Sequence, residues 1–136
     1  MTTREDVESF IIRLETDYEE VDEGMWLLKS EEDSGAAVVV NYSPPVVLLR
    51  LKVMNIPPEM DDGRLGPLYR RLLELNATDI LHGSYGIEEH EIVLSDALEL
   101  EDLDFSELRS SYESMMLAAS GHHGSLAGLV PVAQER

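Results

Sequence analysis

Cysteine is absent from the 136-residue chain. Disulfides, thiolate-held zinc and thiol catalysis are therefore excluded. Cations are scarce: 10 Lys and Arg stand against 28 Asp and Glu, a formal net charge of -18. Nucleic-acid binding needs Lys and Arg to displace counterions from phosphates. The nearest thing to a basic patch is Arg64, Arg70 and Arg71. Neither nucleic acid nor an anionic membrane is an expected partner. No apolar run is long enough to span a bilayer. The opening Met-Thr-Thr-Arg-Glu-Asp lacks an apolar signal core, so a cytoplasmic protein is expected.

What is present is enough apolar material, 43% of the residues, for a real core in one domain. Val7, Phe10, Ile11, Leu14, Tyr18 and Val21 recur at helical spacing and predict a helix over 3–21, capped by Thr3, with Gly24 at its exit. Three strands are expected next: Met25–Ser30, Ala36–Tyr42 after an Asp33-Ser34-Gly35 turn, and Val46–Met54 after Ser43-Pro44-Pro45. A second helix is expected over about Leu65–Leu75, starting at Gly66-Pro67. Two strands follow, near Ser84–Glu88 and Glu91–Leu98, with Glu89-His90 at the hairpin tip. A third helix, Phe105–Ser120, opens with Asp104 as cap and Glu107 completing a capping box. The expectation is thus an α+β fold with a five-stranded antiparallel sheet and three helices, ordered α-β-β-β-α-β-β-α. One domain covers 1–120, and the Gly-, His- and Ser-rich stretch 121–136 reads as a flexible tail.

Two elements carry more apolar surface than one core should need. On the second helix, Leu65, Leu68, Tyr69, Leu72, Leu73 and Leu75 span an arc of roughly 160°, at about 100° per residue. A helix resting on one sheet uses a narrower stripe. The excess points either to a symmetric copy, with Leu65, Leu68, Leu72 and Leu75 at the dimer interface, or to a covering loop. In the third strand Val47, Leu49, Leu51 and Val53 face one way, while Val46, Leu48 and Met54 share the other face with Arg50 and Lys52. Either helices cover that second face or a partner protein does.

Chemistry-bearing constellations are weak. Glu88-Glu89-His90-Glu91 sits on a hairpin tip, where alternate side chains diverge, whereas zinc needs convergent ligands. His122-His123 lies in the Gly-rich stretch read as a tail. Asp79, His82 and Ser84 are close in sequence without a nucleophile elbow. Asp61-Asp62-Gly63 lacks the remaining ligands of a calcium loop. Met115 and Met116 fall in a core stripe, and Met60 could lend adaptability to a surface. No catalytic, cofactor or metal residues are assigned.

The second half of the chain carries a resemblance. Leu72-Leu73-Glu74-Leu75-Asn76 ends a helix, and Tyr85-Gly86-Ile87 forms a short strand. Glu91-Ile92-Val93-Leu94 follows, then Leu98, Leu100 and Leu103-Asp104 before an amphipathic helix. This pattern resembles the YbjN family, small bacterial proteins with the fold of type III secretion chaperones, over roughly residues 3–120. The resemblance implies an antiparallel α+β fold, frequent homodimers, no cofactor and no established enzymatic activity. Secretion chaperones hold extended client segments, while YbjN-like proteins are linked to stress responses, motility and signalling. The function expected is a non-catalytic, homodimeric protein-binding module, chaperone-like or a regulatory adaptor, with an unidentified protein client. The alternatives are a carboxylate- or metal-dependent enzyme and an acidic mimic of nucleic acid.

Overall fold

The computed structural model describes residues 1–30 and 36–131. The expected Asp33-Ser34-Gly35 turn lies outside them. Helix α1 (Arg4–Arg13) starts where Thr3 predicts: its hydroxyl accepts the Asp6 N–H at 3.1 Å and the Asp6 carboxylate accepts the Thr3 N–H at 3.0 Å. The helix does not reach residue 21. Glu15 takes a φ of 60°, a left-handed conformation that stops it. Thr16 then donates its hydroxyl to the Lys29 carbonyl at 2.8 Å, and the chain enters a strand, β1 (Asp17–Asp22). Gly24, expected at a helix exit, instead sits in the tight turn after β1, with φ 73°.

The remaining elements are β2 (Met25–Lys29), β3 (Ala37–Ser43), β4 (Val46–Asn55), α2 (Asp62–Thr78), β5 (Ser84–Glu88), β6 (Glu91–Glu99) and α3 (Phe105–Ala127). The sheet therefore has six strands rather than the five expected, in the order β1-β2-β3-β4-β6-β5. Every pairing is antiparallel. Strand alternation sends Trp26, Leu28, Val38, Val40, Leu49 and Leu94 to one face, where all are buried. All three helices contribute to that same core: Val7 and Ile11 from α1, Leu68, Leu72 and Leu75 from α2, Leu108, Met115 and Leu126 from α3. Ser111, fully buried on α3, donates to Asp96 of β6 at 2.7 Å and fixes the helix on the sheet.

The limits of α2 and α3 also differ from expectation. Helix α2 begins at Asp62, capped by the Asp61 carboxylate, so Pro67 lies inside it. Pro67 lacks the N–H that would bond the Gly63 carbonyl, so one bond of the ladder is missing. Helix α3 continues through Gly121 and Gly124 to Ala127, so 121–127 is helix rather than tail. Its added turns lie beside α2, where Arg71 Nε donates to Ser125 Oγ at 3.3 Å. Leu126 is fully buried there. The dimer interface expected at Leu65, Leu68, Leu72 and Leu75 rested on the apolar stripe of α2. Leu68, Leu72 and Leu75 are 0%, 4% and 1% exposed within the single chain, and Leu65 is half-buried. The inner part of the stripe joins the chain's own core, while Tyr69 and Leu73 stay exposed.

Truncating Leu68 to Ala should therefore lower the unfolding free energy by about 2–5 kcal/mol. Denaturant titration followed by circular dichroism measures it. A cost below about 1 kcal/mol would contradict this burial.

Candidate functional site

One compact polar cluster crosses three elements. The C-cap of α2 is Asp79, and its carboxylate takes the Thr78 hydroxyl at 2.9 Å. On α3, His122 places Nε2 3.3 Å from Asp79 and Nδ1 2.8 Å from the Tyr85 hydroxyl. With the proton on Nε2, His122 donates to Asp79 and accepts from Tyr85. The two rings meet at a tilt of 50°, centroids 5.8 Å apart. The partner of Asp79 is thus His122, 43 positions away, and not His82. Burial pushes the Tyr85 hydroxyl up to about 12, and the Asp79 charge adds to this. Asp79 is held below the ordinary carboxylate range, first by the Thr78 hydroxyl and then by His122. A tyrosine nucleophile needs a phenol easier to ionise, not harder, and a carboxylate held low is a weak general base. The cluster fastens α3 to α2 and β5.

The other sequence candidates are dispersed. Glu89 and His90 are exposed at the β5–β6 turn, and Ser84 is exposed at the start of β5. His123 is exposed one residue beyond the cluster. Asp61 and Asp62 are the start of α2. Met60 and Met115 are buried in the core and Met116 packs against it. Among the described residues, no three His, Asp or Glu side chains converge to hold a metal ion.

Surfaces are more informative. The sheet face turned away from the core carries Met25, Leu27, Val39 and Leu48, all half-buried or exposed. Three cross-strand ion pairs frame it: Lys29–Glu19, Arg50–Glu88 and Lys52–Glu91. Such exposed pairs add little stability. The helices thus cover one face only. On α2, Tyr69 and Leu73 are 40% and 68% exposed, one turn apart on its outer side. The two sheet edges differ. At β5, the Asn76 side chain of α2 accepts the Tyr85 N–H at 2.7 Å and donates to the Tyr85 carbonyl at 3.2 Å. That edge is capped at Tyr85, whose outward backbone groups are both bonded. At the other edge, all six residues of β1 are exposed, and β2 is its one strand neighbour.

This α+β fold, one antiparallel sheet backed by three helices, is that of type III secretion chaperones. The chain belongs to the CesT_Tir_1 family, a type III secretion chaperone family whose model matches residues 1–131. Among solved structures it is similar to a chain of the ExsC–ExsE complex, at 17% identity, covering 98% of this chain and 100% of that one, with a TM-score of 0.66. It is also similar to a chain of the heterodimeric ExoU–SpcU complex from the type III secretion system of Pseudomonas aeruginosa, at 14% identity, 91% and 97% coverage and a TM-score of 0.64. A third likeness is to the HopA1–SchA chaperone–effector complex, at 14% identity, 89% and 92% coverage and a TM-score of 0.62. No curated protein matches the chain. No helix among the described residues is long and apolar enough to cross a membrane.

The Tyr85 environment has a measurable consequence. An unfolded phenol ionises near 10.0 and the folded one near 12. Between those values the unfolded state binds fewer protons, so stability falls as pH rises through the window. In an alkaline absorbance titration, part of the phenolate signal should appear well above pH 10, and Tyr85→Phe should remove that part. An unchanged profile in the variant would disprove the assignment.

Proposed function

We propose that the chain is a non-catalytic secretion-chaperone-type module that holds an extended segment of a client protein in the cytoplasm. The observation that carries this is the asymmetry of the sheet edges: Asn76 caps β5 at Tyr85, while β1 is exposed throughout. An open edge offers unpaired backbone N–H and C=O groups to an incoming strand. Asp17, Glu19, Glu20 and Asp22 on β1 guard it against indiscriminate pairing and draw in basic clients. Membership in a chaperone family and likeness to chains of chaperone–effector complexes support the same reading. A YbjN-like regulatory role is the narrower alternative within the shared fold. The identity of the captured partner decides between a secreted client and a regulator.

The partner should be recovered by affinity capture from native cytosol and identified by mass spectrometry. With it bound, β1 amides should gain protection from hydrogen exchange while β5 amides do not. Association should slow as salt rises. Unaltered β1 exchange in the complex would rule out strand addition there.

The chain also pairs with a second copy through the outer side of α2, in this proposal. Of the leucines expected at that interface only Leu65 keeps accessible surface, joined by Tyr69 and Leu73 at successive turns. A two-fold contact hides both copies of the strip. Light scattering should give a dimer for the wild type and a folded monomer for Tyr69→Glu/Leu73→Glu. A wild type that stays monomeric at high micromolar concentration overturns the pairing.

A further inference from the structure

Six of the nine Lys and Arg among the described residues are neutralised on the spot. Arg4, Lys29, Arg50, Lys52, Arg70 and Arg71 each have a carboxylate within ion-pair distance. Among the described residues Arg13, Arg64 and Arg109 have none, although the sequence contains 28 acidic residues. Two of these three meet on one aromatic ring. The Arg13 guanidinium carbon lies 4.0 Å from the Phe105 ring centre and that of Arg109 lies 5.4 Å from it. Phe10 abuts the same ring at 6.2 Å between centroids. Both phenylalanines are half-buried and both arginines exposed.

We infer that the Arg13–Phe105–Arg109 cluster, at the junction of α1 and α3, is a docking surface for an acidic stretch of the client. The inference rests on the protein-binding reading above. Stacking occupies the flat face of a guanidinium and leaves its in-plane N–H fork free. That fork matches a carboxylate with two parallel hydrogen bonds. The flanking rings receive an apolar side chain beside the carboxylate. Charge complementarity here is local: beyond about 10 Å at about 0.1 M salt, the remaining negative charge is screened. The position also suits a client on β1. Arg13 and Asp17 are four positions apart, at most about 14 Å of chain. A client strand along β1 brings its flanking residues to the cluster. Reversal of charge sign between the acidic edge and this cluster then fixes the direction in which the client lies.

The test uses the full chain and a fluorescent synthetic peptide alternating glutamate with leucine, titrated at about 0.1 M salt. Saturable binding is expected for this peptide and not for its glutamine counterpart. Arg13→Gln and Arg109→Gln should each weaken it by about tenfold, the size of one lost hydrogen bond to a charged group. Arg64→Gln removes the same charge elsewhere and should leave binding unchanged. Circular dichroism of these surface variants verifies the fold. The inference is overturned if the wild type does not bind, if Arg64→Gln weakens binding as much as the other two, or if an oligonucleotide of equal charge binds more tightly. Client capture with a failed peptide titration sinks the acidic surface alone; failure of both sinks the protein-binding reading with it.

Discussion

The sheet has a single apolar face, and the rest of the molecule follows from covering it. Trp26, Leu28, Val38, Val40, Leu49 and Leu94 project to one side because side chains alternate along each strand. Apolar surface on that scale contributes about 25 cal/mol for each Å² removed from water. All three helices are drawn to that side, and their buried residues join one cluster. The outer face is then left with half-exposed aliphatics between ion pairs, and the two edges are left to be settled separately.

How the edges are settled gives the molecule its direction. Asn76 at the end of α2 satisfies both backbone groups of Tyr85. Asp79 and His122 hold the same corner from two helices. One end of the sheet is thereby locked by three elements. The other end is β1, exposed along its whole length and lined with carboxylates. Charge on an edge strand discourages casual pairing without removing the backbone groups that a specific client can use.

Charge distribution follows the same division. Most cations are spent locally on ion pairs across strands or along α2. Arg13 and Arg109, gathered around Phe105, are not spent in this way. An acidic chain with one unneutralised arginine cluster presents partners with a polarity that net charge alone does not describe.

The local signals in the sequence were sound where local chemistry decides. Thr3 with Asp6 and Asp104 with Glu107 each form the capping box that their spacing predicts. The strands from Met25 to Asn55 and the hairpin around Glu89-His90 lie within a residue or two of expectation. The failures occurred where two elements had to be known together. Tyr18 and Val21 fit a helical stripe as well as a strand, and only pairing with β2 makes β1. Gly121 and Gly124 argue against helix locally, yet burial of Leu126 and the bonds of His122 and Ser125 hold those turns. Beside those turns Leu68, Leu72 and Leu75 of α2 are buried, while Tyr69 and Leu73 face water. The sequence by itself determined class, charge, caps and most strands, since those depend on neighbours a few residues apart. Only the tertiary structure decided which leucines face water, which histidine meets Asp79 and which edge stays open, because each depends on contacts between residues far apart in the chain.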